Sequence, residues 1–396
     1  MSHTIDQTQA GIRPSIKAQR LYSLDVLRGF DMFWIIGGAV LVRSIDKYVN
    51  SPLTNTLKLH CHHVRWEGFV FHDLIFALFL FIAGVTLPIS IRSKKLKGFS
   101  TLKIHRQLLL RCLLLVFLGV IYNMNTRFPG YDKIRYASVL GLIGISSYVA
   151  AILTLHTKVK AQLFCFIGVI LTYYLLLKYY PVPNYGSGNF KGKTSFAGYI
   201  DQLFLPGKIL GKYFDPEGIA CVFSAIATAL SGVMTGQFLL KSSIPKWKKM
   251  ILLFGAGGVL LGAGYLWSYD YPIVKKMWTG TFVLVAAGYS LLLLSLFYGL
   301  FDVLKPKIKN KFLAFPLTSF GYFFSVIGLN SITIYLVYHT LKSNIYAITQ
   351  LFTHPILQMA SEESPHLAKI YFNISVLLLE WFFLLYLARK KIFLRI

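Results

Sequence analysis

The stretch HCHHVRWEGFVFHDLIFALFLFIAGV, His60 to Val85, sets a cluster of imidazoles and an indole directly before a long apolar run, with Asp73 one or two turns inside that run. Neutral histidine has an ordinary pKa of about 6.5, so one of His60, His62 and His63 could act as nucleophile or general base near neutral pH. Asp73 follows His63 by ten residues and could orient that imidazole by accepting a hydrogen bond from one of its nitrogens. Capping its helix, or pairing with a basic residue of a neighbour, are competing uses of the same carboxylate. The three loop histidines are packed too tightly to match a chelating motif, so no metal is expected.

Other ionisable and amide groups cluster near the ends of apolar runs. SLDVLRGFDMFW places Asp25, Arg28 and Asp31 at steps of three, near one side of a helix. Arg28 could pair with Asp25, or hold a phosphate bidentately. FDPEGI carries Asp215 and Glu217 at a helix start, where acids are also plain capping chemistry. PIVKKMWTG places Trp278 at interface depth, where tryptophan is common. GLNSITIYLVYH buries Asn330 in mid-run and ends on His339. A buried amide in lipid needs partners, so Asn330 is either interhelical glue or a ligand contact.

The elements that must position these groups are membrane helices. The chain has 396 residues, 55% hydrophobic and only 14% charged, which excludes an ordinary soluble domain. A transmembrane helix needs about 20 mostly apolar residues, and the runs 24–42, 69–91, 107–123, 136–155, 161–180, 217–239, 249–267, 279–300, 314–338 and 367–388 predict about ten spans in an all-α, polytopic protein. The formal charge of +26 falls in short clusters between apolar runs, the pattern of loops facing a cytoplasm and not of a nucleic-acid surface. RSKKLKGFSTLKIHRQ, KSSIPKWKK, DVLKPKIKNK and RKKIFLRI therefore lie inside, and both termini are expected there.

Residues 1–23 read as a polar, basic cytoplasmic tail with no secretory signal, and 24–396 as one membrane domain. The segment 181–217, rich in Gly, Pro, Tyr and Asn, reads as a long outer loop. Residues 340–366 carry an apolar run too short to span, which predicts an interfacial or re-entrant helix. Of the four cysteines only Cys61 falls in a loop, so no disulfide framework is implied.

Taken in order, RLYSLDVLRGFDMF, HHVRWEGFVFHDLIFALFLFIAG, FDPEGI, PIVKKMWTGTFVL and GLNSITIY resemble the heparan-α-glucosaminide N-acetyltransferase family and its bacterial relatives. The resemblance covers nearly the whole membrane domain. It departs from the family at Ala77, where proline is common, and at Gly141 and Leu142, where a polar pair is common. It implies a multi-span transferase in a bacterial inner membrane, with acetyl-CoA as co-substrate on the cytosolic side and a glucosamine-type sugar or glycan as acceptor on the far side. The H-x-x-W-x-G pattern places the transfer histidine at His63, with Asp73 as its catalytic partner. Arg28, Arg106 and Arg111 are then expected to hold acetyl-CoA, and Trp66, Glu67, Asp215, Glu217, Trp278, Asn330 and His339 to contact the acceptor. The sequence leaves room for a homodimer. A transporter for an amino sugar or oligosaccharide is the alternative, since spans with internal charges and an aromatic vestibule also describe one.

Overall fold

The computed structural model describes residues 21–124, 128 and 130–394; most of the expected tail, residues 1–20, lies outside them. Among the described residues eight helices are long and apolar enough to cross a membrane: α4 (Phe71–Leu96), α5 (Thr101–Met124), α6 (Val139–His156), α7 (Val159–Tyr179), α9 (Ile219–Leu239), α10 (Lys246–Trp267), the run Gly280–Lys307 that opens with α11 (Gly280–Tyr298), and α15 (Pro365–Arg389). A ninth span exists if Ala314–Leu329 and Ser331–Thr340, bent by 69°, are counted as one. The chain is an all-helical integral membrane protein.

The difference from ten spans has two local causes. The expected first span is helical from Tyr22 to Val49 but falls into α1 (Tyr22–Phe33), a π-helical segment Trp34–Gly38, and α2 (Ala39–Val49). Gly37 leaves helical geometry inside that segment, as π insertions commonly kink a helix. The expected ninth span divides at Asn330 into α12 (Lys311–Leu329) and α13 (Ser331–Thr340).

Two shorter helices sit in the connections, α3 (Pro52–His60) and α8 (Phe196–Phe204), the second inside the expected long loop. The segment 340–366 forms α14 (Lys342–Glu363), which packs along α15. Its composition falls short of a spanning helix.

In lipid, helices gain little from burying apolar side chains against one another, so close backbone approach and hydrogen bonding set their packing. α4 and α9 form the centre of the bundle this way. A Cβ added at Gly84 would lie 2.3 Å from the Ala229 carbonyl oxygen, and one at Gly232 would lie 2.2 Å from that of Phe81. α4 carries Asp73 near its start, and α9 begins just after Glu217, so this contact brings two candidate groups to one end of the bundle. α1 and α12 touch by the same device, with Gly328 against the Asp25 carbonyl.

Gly232→Ala should destabilise the protein by about 1–3 kcal/mol, because the methyl has no space at the crossing. Gly168→Ala, on the rim helix α7 with nothing within 4 Å, should be neutral or slightly stabilising. Thermal unfolding of the two variants in detergent measures the contrast.

Candidate active site

The loop 61–70 joins α3 to α4 and carries His63. Ser51 caps α3, the Asp46 carboxylate pairs with Lys58 Nζ at 2.7 Å, and Arg43 donates to the Cys61 carbonyl at 2.8 Å, so α2 and α3 hold the loop from one side. From the other side, Gly68 N–H donates to the Ile273 carbonyl at 2.9 Å and Lys276 Nζ to that of Arg65 at 2.9 Å. Gly68 has φ +116°, a conformation that glycine adopts without a side-chain penalty.

Asp73 performs all three uses that its position allowed, since it also pairs with Lys275. Its Oδ2 accepts from the backbone of Val70 at 3.3 Å and Val64 at 3.4 Å, closing the start of α4. Its Oδ1 lies 2.7 Å from His63 Nδ1. The carboxylate is 1% exposed and the imidazole 49% exposed. With the Nδ1 proton assigned to the bond to Asp73, the lone pair of Nε2 remains available for chemistry. His72 lies against His63 with ring centroids 4.4 Å apart.

Lys275 completes the cluster. Its Nζ is 3.1 Å from His63 Nδ1 and 3.6 Å from Asp73 Oδ1. Lys275 opens a single 3-10 turn, Lys275–Met277, that ends on Trp278 at φ +50°. Thr279 Oγ1 accepts from Val274 N–H and donates to the Pro272 carbonyl, each at 3.0 Å, clamping that turn. Burial pulls the Lys275 ammonium below the usual lysine range, while Asp73 and Glu217 push it back up.

Two cavities stack along the bundle. The first, about 290 Å³, is lined by His63, His72, Lys275, Glu217 and Tyr335 among apolar side chains from α1, the π segment, α4, α6 and α13. The second, about 240 Å³, is lined by Arg28, Arg111, Thr86, Ser331 and Leu394 with further apolar groups. Phe79, Leu140, Ile143 and Ile332 line both. Along α4 the lining runs from His72 through Phe79 to Thr86, about 21 Å at 1.5 Å per residue. The two cavities are therefore consecutive, with the histidine at one end and the arginines at the other.

Arg135 organises a carboxylate cluster at the edge of the first cavity. Its guanidinium takes Asp215 at 2.8 and 2.5 Å and also contacts Glu217. Asp201 accepts from Asp215 N–H at 2.9 Å and Ile219 N–H at 3.0 Å, capping α9 from beneath. Burial pushes Asp201 up to about 6 against those backbone bonds. Burial pushes Glu217 up to about 7, overcoming Arg135, with Asp215 adding to the rise. Burial acts on Asp215 too, but its bonds to Arg135 outweigh it and hold that carboxyl below the usual range.

Of the expected site residues, the structure brings His63, Asp73 and Glu217 together, with Asp215 behind Glu217, and puts Arg28 and Arg111 on one cavity. Arg106 is exposed and lines neither cavity. Five residues turn a helix by about 140° beyond a full turn, so Arg111 pointing inward sends Arg106 away. Trp278 is buried in the core behind Phe76, its indole donating to Thr228 Oγ1 at 3.1 Å, which fixes the turn of Lys275 and leaves no face for an acceptor. Trp66 donates to the Phe190 carbonyl at 2.8 Å and packs edge-on to Phe214, stapling the loop to the segment after α7. Glu67 is exposed.

Asn330 lies at the arginine end, where its side-chain amide donates to the Ile392 carbonyl at 3.1 Å and accepts from Leu394 N–H at 3.4 Å. It braces the helix break and the chain's last described residues. His339 stacks on Tyr122 at 3.7 Å, and Tyr122 stacks on Tyr335 at 4.9 Å, so His339 supports the cavity wall without lining it. Lys275, His72, Arg135 and Tyr335 were not singled out from the sequence. A buried Asp73 demands a cation, and Lys275 in PIVKKMWTG is the residue that such a search would have tested.

No family model matches the chain. Its sequence is similar to the heparan-alpha-glucosaminide N-acetyltransferase of Mus musculus, 24% identical over 389 residues, covering 84% of this chain and 56% of that protein. The human protein of the same name is 26% identical over 396 residues, covering 84% of this chain and 55% of that protein. The chain thus spans little more than half the length of these curated relatives, and the similarity supports a relationship at the level of the family.

Arg135→Met should leave Asp215 and Glu217 buried beside each other without their cation, at a cost of about 3–5 kcal/mol. Arg135 holds the Glu217 carboxyl down to about 7, so without it the proton stays on Glu217 to higher pH than in the parent, and the deficit should be larger at pH 8 than at pH 6. Unfolding midpoints at the two pH values, variant against parent, measure it.

Proposed function

As a family-level relative of the heparan-alpha-glucosaminide N-acetyltransferases, the chain is, we propose, a transmembrane acetyltransferase that moves acetyl from acetyl-CoA at the arginine end to the amine of a glucosamine-type sugar at the histidine end. The observation that carries this reading is the pair of consecutive cavities, one holding Arg28 and Arg111 and the other the His63–Asp73 pair. A donor with an anionic head and a long thin arm fits such a path. In a bacterial inner membrane with the basic loops on the cytoplasmic side, the arginine end faces the cytosol.

Acetyl-CoA is a co-substrate whose phosphates suit guanidinium groups. Arg111 Nε is buried without a hydrogen-bond partner among the described residues, the state expected of a donor awaiting an anion. The acyl arm passes Phe79, Leu140, Ile143 and Ile332, an apolar ring that excludes water from the thioester. At its far side the carbonyl carbon meets His63.

His63 Nε2 then serves in one of two ways. It attacks the carbonyl, expelling the CoA thiolate and leaving an acetyl group on the imidazole for the sugar amine to take. Or it accepts the proton that the amine loses as nitrogen attacks the thioester directly. In both routes a C–S bond breaks, a C–N bond to the sugar forms, and one amine proton is released. Glu217, on the same cavity, is placed to receive the acceptor's ammonium once its own proton is lost near pH 7. An amino-sugar transporter is not favoured, since both relatives are named as transferases.

Purified protein with labelled acetyl-CoA and glucosamine, or short glucosamine-ended oligosaccharides, tests the reading. Wild type should form the N-acetyl product, folded His63→Ala should form none, and Asp73→Asn should be slower by about 10²–10⁴-fold. Arg28→Ala and Arg111→Ala should each raise the KM for acetyl-CoA roughly 10–100-fold with little change for the acceptor, the loss of a charged hydrogen bond. Absence of transfer by wild type with every glucosamine acceptor would sink the proposal. Label exchange between CoA species without acceptor separates the two routes, because it requires acetyl-histidine.

A further inference from the structure

The cluster around His63 has a charge problem that its lysine solves. Asp73 is 1% exposed, and a carboxylate so placed is costly unless a cation stands against it. Two groups can supply that charge: Lys275, with Nζ 3.6 Å from Oδ1, or His63 itself if it takes a second proton. An imidazolium has no lone pair, so it is neither nucleophile nor base. Which group carries the charge therefore decides whether His63 can react.

The geometry assigns the charge to the lysine. Lys275 is fixed by the Thr279 clamp and by the buried Trp278 that ends its turn, and is 17% exposed. Its Nζ is also 3.1 Å from His63 Nδ1, so an ammonium there and an imidazolium at His63 would be like charges in contact. The other charged or titratable groups around the ring are His72 from α4, Glu217 across the cavity, and His62 and Arg43 from the loop and α2. Among these, Arg43 donates to the Cys61 carbonyl, and Glu217 is bound to Arg135.

We propose that Lys275 is a positioning residue: the standing counter-ion of Asp73, which keeps His63 an uncharged imidazole with its Nδ1 proton on Asp73 and its Nε2 lone pair available. Asp73 alone would orient the ring but also draw a second proton onto it. Lys275 leaves the orientation and removes that draw. The proposal rests on reading His63 as the transfer histidine, and its test does not require transfer to occur.

Of the two protonation states of imidazole, diethyl pyrocarbonate acylates only the neutral one, and the half-exposed His63 is open to it. Full-length protein in detergent is treated between pH 5 and 9, and modification of His63 is followed by peptide mass spectrometry for wild type, Lys275→Met and Lys275→Arg. Lys275→Met should move the midpoint of the His63 curve up by about one pH unit, making modification about tenfold slower on the acidic limb below both midpoints, and Lys275→Arg should restore it. A Lys275→Met curve that superimposes on wild type, or moves to lower pH, overturns the proposal.

If Lys275→Met does not fold, Asp73→Asn is compared with Asp73→Asn/Lys275→Met, which leaves no buried charge unpaired. Removing the lysine from the asparagine background should raise the midpoint by a similar amount, and coincident curves refute the assignment. In the transfer assay, Lys275→Met should lower kcat most at acidic pH while leaving the KM for acetyl-CoA unchanged. Failure of wild type to transfer acetyl would remove the proposed function, and the modification curves would still decide the role of Lys275.

Discussion

The buried carboxylate of Asp73 is the constraint on which the site depends. One oxygen closes the start of α4 and the other holds His63, so the same group fixes a helix boundary and an imidazole ring. A charge in that position is tolerable only with a cation beside it, which is why the turn after α10 must deliver Lys275 to the loop after α3. The hydrogen bonds from Gly68 and Lys276 tie those two distant segments together. Trp278 and Thr279 serve the site from behind, by giving the lysine's turn one conformation.

The bundle contributes a path. α4 and α9 approach through glycines, α1 packs on α12, and the space left between α1, α4, α5, α6 and α13 holds two consecutive cavities. His63, His72, Glu217 and Lys275 line one cavity, Arg28 and Arg111 the other, and an apolar ring divides them. That polarity suits a reaction whose donor and acceptor never share a compartment. The bend at Asn330 belongs to the same design, since it sets Ile332 into the ring while the amide holds the chain near Ile392.

Much of this was legible in the sequence. Hydropathy located every long apolar helix, because a membrane span must satisfy its backbone internally and so leaves an unmistakable run. The ten-residue separation of His63 and Asp73, with the start of an apolar helix between them, suggested their pairing, with capping and a cationic partner as competing uses. What could not be read was the direction of side chains and contacts between distant segments. Arg106 and Arg111 are alike in sequence and differ only by helical phase. Trp278 looked like an interface residue because position along the chain does not show burial. Lys275 is 212 residues from His63, and no local pattern records that contact. The π segment and the bend escaped hydropathy because the windows around both stay apolar on average, even with Asn330 and Ser331 at the bend.

The central claim is that donor and acceptor meet from opposite sides of a membrane. The most direct measurement places the purified protein in sealed vesicles, with labelled acetyl-CoA confined to one side and a membrane-impermeant glucosamine-ended oligosaccharide to the other. The account predicts N-acetylated acceptor when the two are on opposite faces, with CoA released on the donor face. Product formed only when both substrates share a face would contradict it, whatever the role of His63.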